Sequence, residues 1–376
     1  MMRPLYTAAA GKDSVSFHPD GHLGLWFDKF CNTWEQTPGG DWSLKAERQS
    51  ANPKFDWANQ VAAQKLEDTA QFEEQRDRRI ALIEARKGAW RIFQTASTFV
   101  SGTGRAHPLE IGFTWHPTLP APYLPGSSVK GMVRAWAEAE GIAKATVSRL
   151  LGPRDGKDSG LSAGSVCFLD ALPIKAVDLK VDVITPHFGN WSPDDPPGDW
   201  RSPIPIPFLV TAEQAPFLFG WLPRVPLEEG DAVMLNDWIE AALTWAGAGA
   251  KTGVGYGRMK RSKKLETSWL MKREAAVQAE ADARRRAAMD PLDLELEELA
   301  GELPDPCVPW LQAIEAGRWQ NEPALMCRVL LKMKALQDAA PKTKKKKKKK
   351  GNKQLERIAK VQKLLDQYGC QAKPDS

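Results

Sequence analysis

The stretch 'GAGAKTGVGYGRM', from Gly247 to Met259, restricts the fold of this chain more than any other segment. It contains five glycines, one Lys-Thr pair and one Tyr within thirteen residues. Glycines at this density permit positive φ angles and let a second backbone approach closely. The stretch is therefore predicted to be a connection that leads from a helix into a strand starting near Val254.

The same stretch is not a nucleotide phosphate loop. That motif requires G-x-x-x-x-G-K-[ST] between a strand and a helix. Here Ala250 precedes Lys251, Trp245 occupies the first glycine position, and the predicted helix comes before the glycines. The dinucleotide fingerprint fails as well, because it should open a helix. Two interpretations remain: a flexible turn, or a cradle for a polymer backbone, with amides and Lys251 on phosphate and Tyr256 on a base or sugar.

A second segment, 'YLPGSSVKGMVRAW', predicts a turn followed by an amphipathic helix. Ser127 or Ser128 is expected to cap this helix, with Lys130 and Arg134 together on the face opposite the apolar one. A helix start with hydroxyls and a lysine can bind an anion through its free amides. The alternative is an ordinary capped helix with solvated cations.

A third segment, Val181 to Phe208, contains 'GNWSPDDPPGDWRSP', whose Pro, Gly and Asp content predicts a loop that projects from a sheet. Its large side chains either stack on bases or pack on a partner. The candidate residues of this projecting loop are His187, Trp191, Trp200 and Arg201. Asp182 and His187 match no strong metal-ligand spacing, so we predict no metal, no cofactor and no catalytic residue.

Short apolar runs between residues 90 and 265 predict the core domain, in the order β-α-β-β-α-β once insertions are removed. Helices are expected over the 'SSVKGMVRAWAEAEG' segment and from about Glu228 to Ala246. The predicted strands are 'RIFQTASTFV', 'LEIGFTWHP', 'GSVCFLDALPI', 'LKVDVITPHF', 'PIPFLV' with 'FLFGWL', and the strand near Val254.

Composition changes divide the rest of the chain. Residues 1–89 are predicted to be a partly helical N-terminal extension, with a charged, solvent-facing helix between about Trp57 and Lys87. Residues 90–265 form the core domain, and 266–340 a helical extension. Residues 341–376 are expected to be a Lys-rich tether and a terminal helix that places Leu355, Ile358, Val361 and Leu365 on one face.

Bulk charge says little about the partners of the folded core. The formal net charge is +5, but Lys342 and Lys344 to Lys350 contribute eight positive charges, and subtracting them leaves −3. The five cysteines are scattered without a C-x-x-C pair, which favours a reduced, cytoplasmic protein. No apolar run reaches the roughly 18 residues of a membrane span, so no membrane association is expected.

Taken in order, 'PYLPGSSVKGMVR', 'FLDALP', 'DVITPHFGNW', 'DWRSPIPIPFLV' and 'GAGAKTGVGYGRM' resemble the RAMP superfamily of CRISPR-associated proteins. Within it, they are most similar to the sixth-subunit family of type III-B Cmr effector complexes. The resemblance covers roughly residues 90–262. It implies an α+β, ferredoxin-like (RRM-like) RNA-binding domain with an inserted projecting loop and helical extensions at both ends.

The resemblance also implies partners: the CRISPR RNA, its complementary target RNA, the repeated backbone nuclease subunit, the small helical subunit and a neighbouring RAMP subunit. It implies a scaffold that does not cut RNA and that holds the 3′ part of the guide. The positions carried over are Gly126, Ser127, Ser128, Lys130, Arg134, Gly249, Lys251, Thr252, Gly253, Gly255, Tyr256, Gly257 and Arg258.

Two other functions stay open at the level of sequence. One is a RAMP endoribonuclease that matures the guide by metal-independent acid-base cleavage, for which His187 and Tyr256 are the candidates. The other is a protein adaptor whose basic loops bind acidic partners.

Overall fold

The computed structural model describes residues 15–45, 52–66, 70–154, 163–186, 204–339 and 348–370, and the side chains of the last helix from residue 354. The chain divides into two compact units, Met1–Trp269 and Leu270–Ser376. Among the described residues, no helix combines the length and the apolar character that a membrane crossing requires.

The first unit combines helices and strands, whereas the second is helical. The helices are α1 (Leu23–Lys29), α2 (Pro53–Ala62), α3 (Ala70–Ala85), α4 (Gly126–Ala139), α5 (Lys144–Leu151), α6 (Asp231–Ala241), α7 (Lys263–Ala287), α8 (Pro291–Ala300), α9 (Cys307–Glu315), α10 (Pro323–Ala339) and α11 (Lys348–Tyr368). The strands are β1 (Trp34–Gln36), β2 (Trp42–Leu44), β3 (Ala89–Thr95), β4 (Val166–Phe168), β5 (Leu172–Pro173), β6 (Leu179–Ile184), β7 (Ile206–Thr211), β8 (Pro216–Pro223) and β9 (Met259–Arg261).

The central sheet has the strand order β4-β8-β3-β9, and β5 also pairs with β8. All of these pairings are antiparallel. Along the chain, helix α4 follows β3 and helix α6 follows β8. The register places Phe93 of β3 opposite Phe217 of β8, and Ile92 opposite Leu218. Facing pairs share one side of a sheet, so these two pairs point to opposite sides.

Both sides of this sheet are covered. Phe93 and Phe217 belong to one core cluster with Val133 of α4 and Leu235 of α6. Ile92 and its partner on β8 belong to a second cluster, with Ile80 of α3 and Trp269 of α7. Burying such a side chain stabilises the fold by about 1.5–3 kcal/mol each. The sheet is therefore the middle layer between two pairs of helices.

The hairpin of β6 and β7 forms a separate small sheet. An isolated bridge between Phe99 and Thr211 joins this sheet to the segment that follows β3. The buried Phe208 of β7 shares a core cluster with Phe27 of α1 and with Trp57 of α2. The predicted solvent-facing helix between residues 57 and 87 is thus wrong in two respects. It is two helices, and both bury apolar residues because distant parts of the chain pack on them.

The strand predicted at 'LEIGFTWHP' is also wrong. This segment is irregular apart from an isolated bridge between Trp115 and Pro122. Glu110 has a φ of 72° and its amide donates to the carbonyl of His107, which closes a turn. A Cβ on Gly112 would lie 2.5 Å from the carbonyl oxygen of Arg105, so the backbone is too close here for an ordinary strand residue.

Two boundaries differ from the predictions around the glycine-rich stretch. The helix expected up to Ala246 begins at Asp231, and its last turn, Ala242–Ala246, is a π-helix. The strand expected near Val254 begins only at Met259, because Thr252–Val254 form a 3₁₀ turn. Positive φ angles at Gly255 and Gly257 delay the extended conformation further.

The second unit has its own core, formed between α8, α9, α10 and α11. Val361 and Leu365 of α11 are buried, as their spacing predicts, but Leu355 is 65% exposed and Ile358 38%. The apolar face of α11 is therefore covered only in its C-terminal half. A disulfide joins Cys327 and Cys370, which corrects the expectation that the scattered cysteines are all reduced.

Candidate functional site

The glycine loop, residues 247–257, connects the π turn to β9 and is fixed at both ends. The amide of Gly257 donates to the carbonyl of Thr98 (2.8 Å), and the amide of Ala250 donates to that of Val100 (2.8 Å). Both acceptors lie in the segment that follows β3. The base of the loop is therefore held by backbone hydrogen bonds that do not depend on any side chain.

Close backbone approach explains some of the glycines and not others. A Cβ on Gly249 would lie 2.2 Å from the carbonyl oxygen of Val100, and one on Gly257 only 1.9 Å from that of Ala248. In contrast, a Cβ on Gly253 would have no heavy atom within 4 Å. The glycines at the base of the loop are thus required by packing, while the tip is open.

The tip of the loop presents a run of backbone amides. Lys251 has φ 59° and ψ 25°, a left-handed conformation that L residues rarely adopt, and right-handed residues follow it. Such an alternation points successive N–H groups into one concavity that binds anions. Among the described residues, the amides of Lys251, Thr252 and Gly253 have no hydrogen-bond acceptor. The tip can therefore donate three hydrogen bonds to an anion.

Aromatic rings surround the Lys251 side chain. Its Nζ lies 5.4 Å from the ring centre of Phe208 and 5.6 Å from that of Tyr256. The Tyr256 hydroxyl donates to Oδ2 of Asp182 on β6 (2.5 Å). Burial and this hydrogen bond to a carboxylate raise the pKa of Tyr256 to about 12, so the phenol stays protonated at neutral pH.

The start of α4 differs from the expected cap. The helix begins at Gly126, Pro125 is its N-cap, and neither Ser127 nor Ser128 makes a capping hydrogen bond. Both serines already lie inside the first turn, where they are exposed. The amide of Gly126 instead donates to Oδ1 of Asp170 (2.7 Å). A carboxylate close to a helix N-terminus is stabilising, so Asp170 replaces the predicted hydroxyl cap.

The two cations of α4 are not equivalent. The guanidinium of Arg134 donates to the carbonyls of Leu151 and Gly152 at the end of α5, and it lies 3.6 Å from the Glu138 carboxylate. Only 13% of its side chain is exposed. Lys130 is partly exposed at the next turn towards the helix start. Of the two alternatives for this helix, solvated cations do not describe Arg134, whose guanidinium holds α5 in place.

The segment after β3 connects the glycine loop with the start of α4. Val100 accepts the loop amide described above, and the hydroxyl of its neighbour Ser101 donates to the carbonyl of Tyr123 (2.9 Å). Tyr123 lies three residues before Gly126. The residues that follow β3 therefore contact both the glycine loop and the segment that leads into α4.

The third segment is described only in part. His187, Trp191, Trp200 and Arg201 lie outside the described residues. The strands that flank this segment, β6 and β7, contribute Asp182 and Phe208 to the surroundings of Lys251. Sequence reasoning missed Asp170, Phe208 and the carbonyls of residues 98 and 100, because no spacing pattern connects positions so far apart along the chain.

The described histidines have structural roles. His107 stacks on Phe27 at 3.9 Å between ring centres, and burial lowers its pKa to about 4, so it is neutral. His22 caps α1 by accepting from the amide of Leu25. In the described part of the chain, no three His, Cys, Asp or Glu side chains are grouped closely enough to hold a metal ion.

Residues 92–260 match the family model of the RAMP superfamily. A curated relative is the CRISPR system Cmr subunit Cmr6 of Pyrococcus furiosus. It is 38% identical over 108 residues, which are 26% of this chain and 30% of the relative. These matches confirm the resemblance predicted from the sequence, and the chain spans less than a third of the length of that relative.

Solved structures give further matches. One is the cryo-EM structure of a type III-B Cmr-beta complex bound to cognate target RNA, with a TM-score of 0.46 and 23% identity over 56% of this chain and 71% of that one. Another is the crystal structure of Cmr6 from Pyrococcus furiosus, with a TM-score of 0.29 and 24% identity over 46% of this chain and 97% of that one.

Proposed function

We propose that this chain is a non-catalytic RNA-binding subunit of a type III-B CRISPR effector complex. It holds the backbone of the 3′ part of the CRISPR RNA, together with the duplex that this RNA forms with its target. The observation that carries the proposal is the concavity at the tip of the glycine loop. Three successive amides there, beside the Lys251 side chain, suit a phosphate group of an RNA backbone.

The central sheet supports a ferredoxin-like core. In chain order its strands are β3, β4 with β5, β8 and β9, and their spatial order is the fourth, first, third and second of these. With α4 after the first strand and α6 after the third, this is the β-α-β-β-α-β plan. RRM domains stack bases on the open face of such a sheet. Here both faces are covered, which favours RNA binding by loops.

The chemistry near Lys251 favours binding over cleavage. A general base must lose its proton near neutral pH and must reach the nucleophile. Tyr256 has a pKa raised to about 12 and its hydroxyl is bonded to Asp182, so it is a poor base. We therefore propose that the subunit leaves cleavage to a neighbouring subunit of the complex.

The partners follow from the same proposal. They are the CRISPR RNA, the complementary target RNA, the repeated backbone nuclease subunit, the small helical subunit and a neighbouring RAMP subunit, within the cytoplasm. The curated relative is a Cmr subunit, and one of the similar solved structures is a Cmr-beta complex bound to cognate target RNA. We propose that the segment between β6 and β7 contacts the duplex of CRISPR RNA and target RNA.

Lys251→Ala tests the phosphate cradle. A hydrogen bond to a charged group contributes about 1.5–3 kcal/mol, so the variant should bind guide RNA about tenfold to a hundredfold more weakly. The loss should be similar for every guide sequence, because backbone phosphates carry no sequence information. The plot of the logarithm of the association constant against the logarithm of the salt concentration should become less steep. Its slope should be smaller in magnitude by roughly 0.7, the value for one phosphate contact on a single strand. Fluorescence anisotropy with labelled guides over a salt series measures both.

Lys175→Ala is the matched control, because Lys175 is an exposed lysine outside the glycine loop. It should leave the affinity and the salt slope near those of the unchanged protein. A loss confined to some guide sequences would contradict the phosphate cradle.

Incubation of the purified protein with repeat RNA tests the second half of the proposal, that the subunit does not cut RNA. Discrete cleavage that disappears in His187→Ala would show an endoribonuclease.

A further inference from the structure

The Tyr256 hydroxyl is hydrogen-bonded within the protein, although the sequence suggests it for contact with a base or sugar. The hydroxyl donates to Asp182 (2.5 Å), and the ring centre lies 6.3 Å from that of Phe208. Asp182 and Phe208 lie on the two strands of the hairpin, opposite each other in the register. Tyr256 therefore connects the glycine loop to the β6-β7 hairpin.

Lys251 needs such support more than most lysines. Its side chain is a flexible four-carbon chain with a point charge, which loses much conformational freedom when it is fixed. Its own backbone is in the left-handed region, so the loop conformation around it is not the intrinsic preference of the residue. The faces of two aromatic rings attract its ammonium group, and one of these rings is that of Tyr256.

We propose that Tyr256 and Asp182 are a positioning pair for Lys251: the Asp182 carboxylate fixes the Tyr256 ring, and the ring holds the ammonium group where a phosphate binds. This inference rests on the proposed function and adds roles that the cradle alone does not require. Tyr256 acts on RNA through Lys251 and not by stacking on a base. Asp182 carries a negative charge beside a phosphate site, yet it favours RNA binding because it keeps the Tyr256 ring, and through it the Lys251 ammonium group, in position.

Asp182→Asn separates this role from simple electrostatics. Removing a negative charge near a phosphate site should by itself strengthen RNA binding, because repulsion is lost. The positioning pair predicts the opposite sign, a weakening of about threefold, since the amide holds the tyrosine hydroxyl less strongly than a carboxylate does. Tighter binding by this variant would overturn the inference.

A double-mutant cycle provides the second test. Tyr256→Phe removes the hydroxyl and keeps the ring, so the fold should be retained. In the unchanged background it should weaken guide binding by about threefold or more, the size of coupling expected between residues in contact. In a Lys251→Ala background it should change binding less than about twofold, which is near the limit of additivity for independent sites. Tyr368→Phe, a hydroxyl deletion in the second unit, is the matched control.

The outcomes distinguish the inference from the proposed function. Equal effects of Tyr256→Phe in both backgrounds, with Lys251→Ala still weakening binding, would overturn the positioning pair and leave the phosphate cradle intact. No effect of Lys251→Ala would overturn both. Anisotropy with the full chain measures all affinities, and circular dichroism confirms that each variant is folded.

Discussion

Positive φ angles occur both at Gly249 (86°) and at Lys251 (59°), yet the two residues have different reasons for them. At Gly249 there is no room for a side chain, because the Val100 carbonyl lies where a Cβ would be. At Lys251 there is room, and the left-handed backbone costs roughly 1–2 kcal/mol. A conformation that is strained at a residue with a charged side chain is typical of a binding site.

Gly249→Ala and Gly253→Ala should therefore differ strongly in stability. The first adds a Cβ to a positive φ and places it 2.2 Å from a carbonyl oxygen, so it should destabilise the first unit by about 2 kcal/mol or more. The second adds a Cβ in open space without a positive φ, and should stabilise the chain slightly, by about 0.4–1 kcal/mol. Urea unfolding followed by tryptophan fluorescence measures both. Equal effects would mean that the loop relaxes around any side chain.

The sequence predicts that the glycine-rich stretch approaches another backbone, but it does not say which glycines do so. The acceptors for its amides are the carbonyls of Thr98 and Val100, which are about 150 residues away and have no side-chain signature. The prediction that Tyr256 contacts RNA directly has the same weakness. No residue near Tyr256 in the sequence indicates that its hydroxyl is bonded to the Asp182 carboxylate.

At the level of elements, α7 closes the second side of the sheet with a buried carboxylate. Glu266 accepts from the amide of Ile92 (3.0 Å) beyond the end of β9, and its other oxygen accepts from the guanidinium of Arg261 (2.9 Å). It is 8% exposed. A side chain thus replaces the backbone acceptor that a longer edge strand would offer, and it anchors the first turns of α7 beside Trp269.

Glu266→Gln should loosen this closure. The amide oxygen still accepts from Ile92, but Arg261 loses the nearer of its two carboxylate partners and keeps only Glu240 at 3.6 Å. Leaving a half-buried charge with weaker partners costs about 1.5–3 kcal/mol. The urea midpoint of the first unit should fall accordingly. Glu274→Gln on the exposed part of α7 is the control and should change stability by less than about 0.5 kcal/mol. No difference between the two variants would mean that Ser262 and Trp269 hold α7 without the carboxylate.

Sequence patterns were sufficient to place β3, β8 and α4, because β3 and β8 are apolar runs with clear ends and α4 has a regular apolar face. The predicted strands 'LKVDVITPHF' and 'PIPFLV' are not part of the central sheet, because they pair with each other as β6 and β7. Sequence patterns failed where the order depends on distant contacts. Helix α2 looks solvated by itself, but Trp26 of α1 and the β6-β7 hairpin, more than a hundred residues later, pack in the same core and bury Trp57. The segment from Leu109 to Pro117 looked like a strand because its apolar residues alternate, but its turns use the amides that a strand would pair.

At the scale of the whole chain, the RAMP match covers 92–260, while the second unit has its own core and lies outside this match. Its helices were expected from their periodicity, and its disulfide was not. Cys327 and Cys370 are 43 residues apart, on α10 and just after α11, and no spacing rule pairs them. Only the packing of the two helices brings the two sulfur atoms together.

The disulfide predicts that the stability of the second unit depends on redox conditions. Closing a loop of 43 residues restricts the unfolded chain, which in the chain-entropy treatment stabilises the folded unit by on the order of 4 kcal/mol. Dithiothreitol should therefore lower the unfolding temperature of this unit in scanning calorimetry. Cys327→Ser should lower it by a similar amount and abolish the response to reductant, whereas Cys167→Ser, at an exposed free thiol, should do neither.

RNA affinity gives the complementary measurement, because the glycine loop belongs to the first unit and uses no cysteine. Reduction should leave the guide affinity unchanged while the calorimetric transition of the second unit shifts. Alkylation in denaturant without reductant, followed by mass spectrometry, should label Cys31, Cys167 and Cys307 and leave the other two linked. Labelling of all five cysteines would contradict the bond, and a fall in RNA affinity on reduction would mean that the second unit contributes to RNA binding.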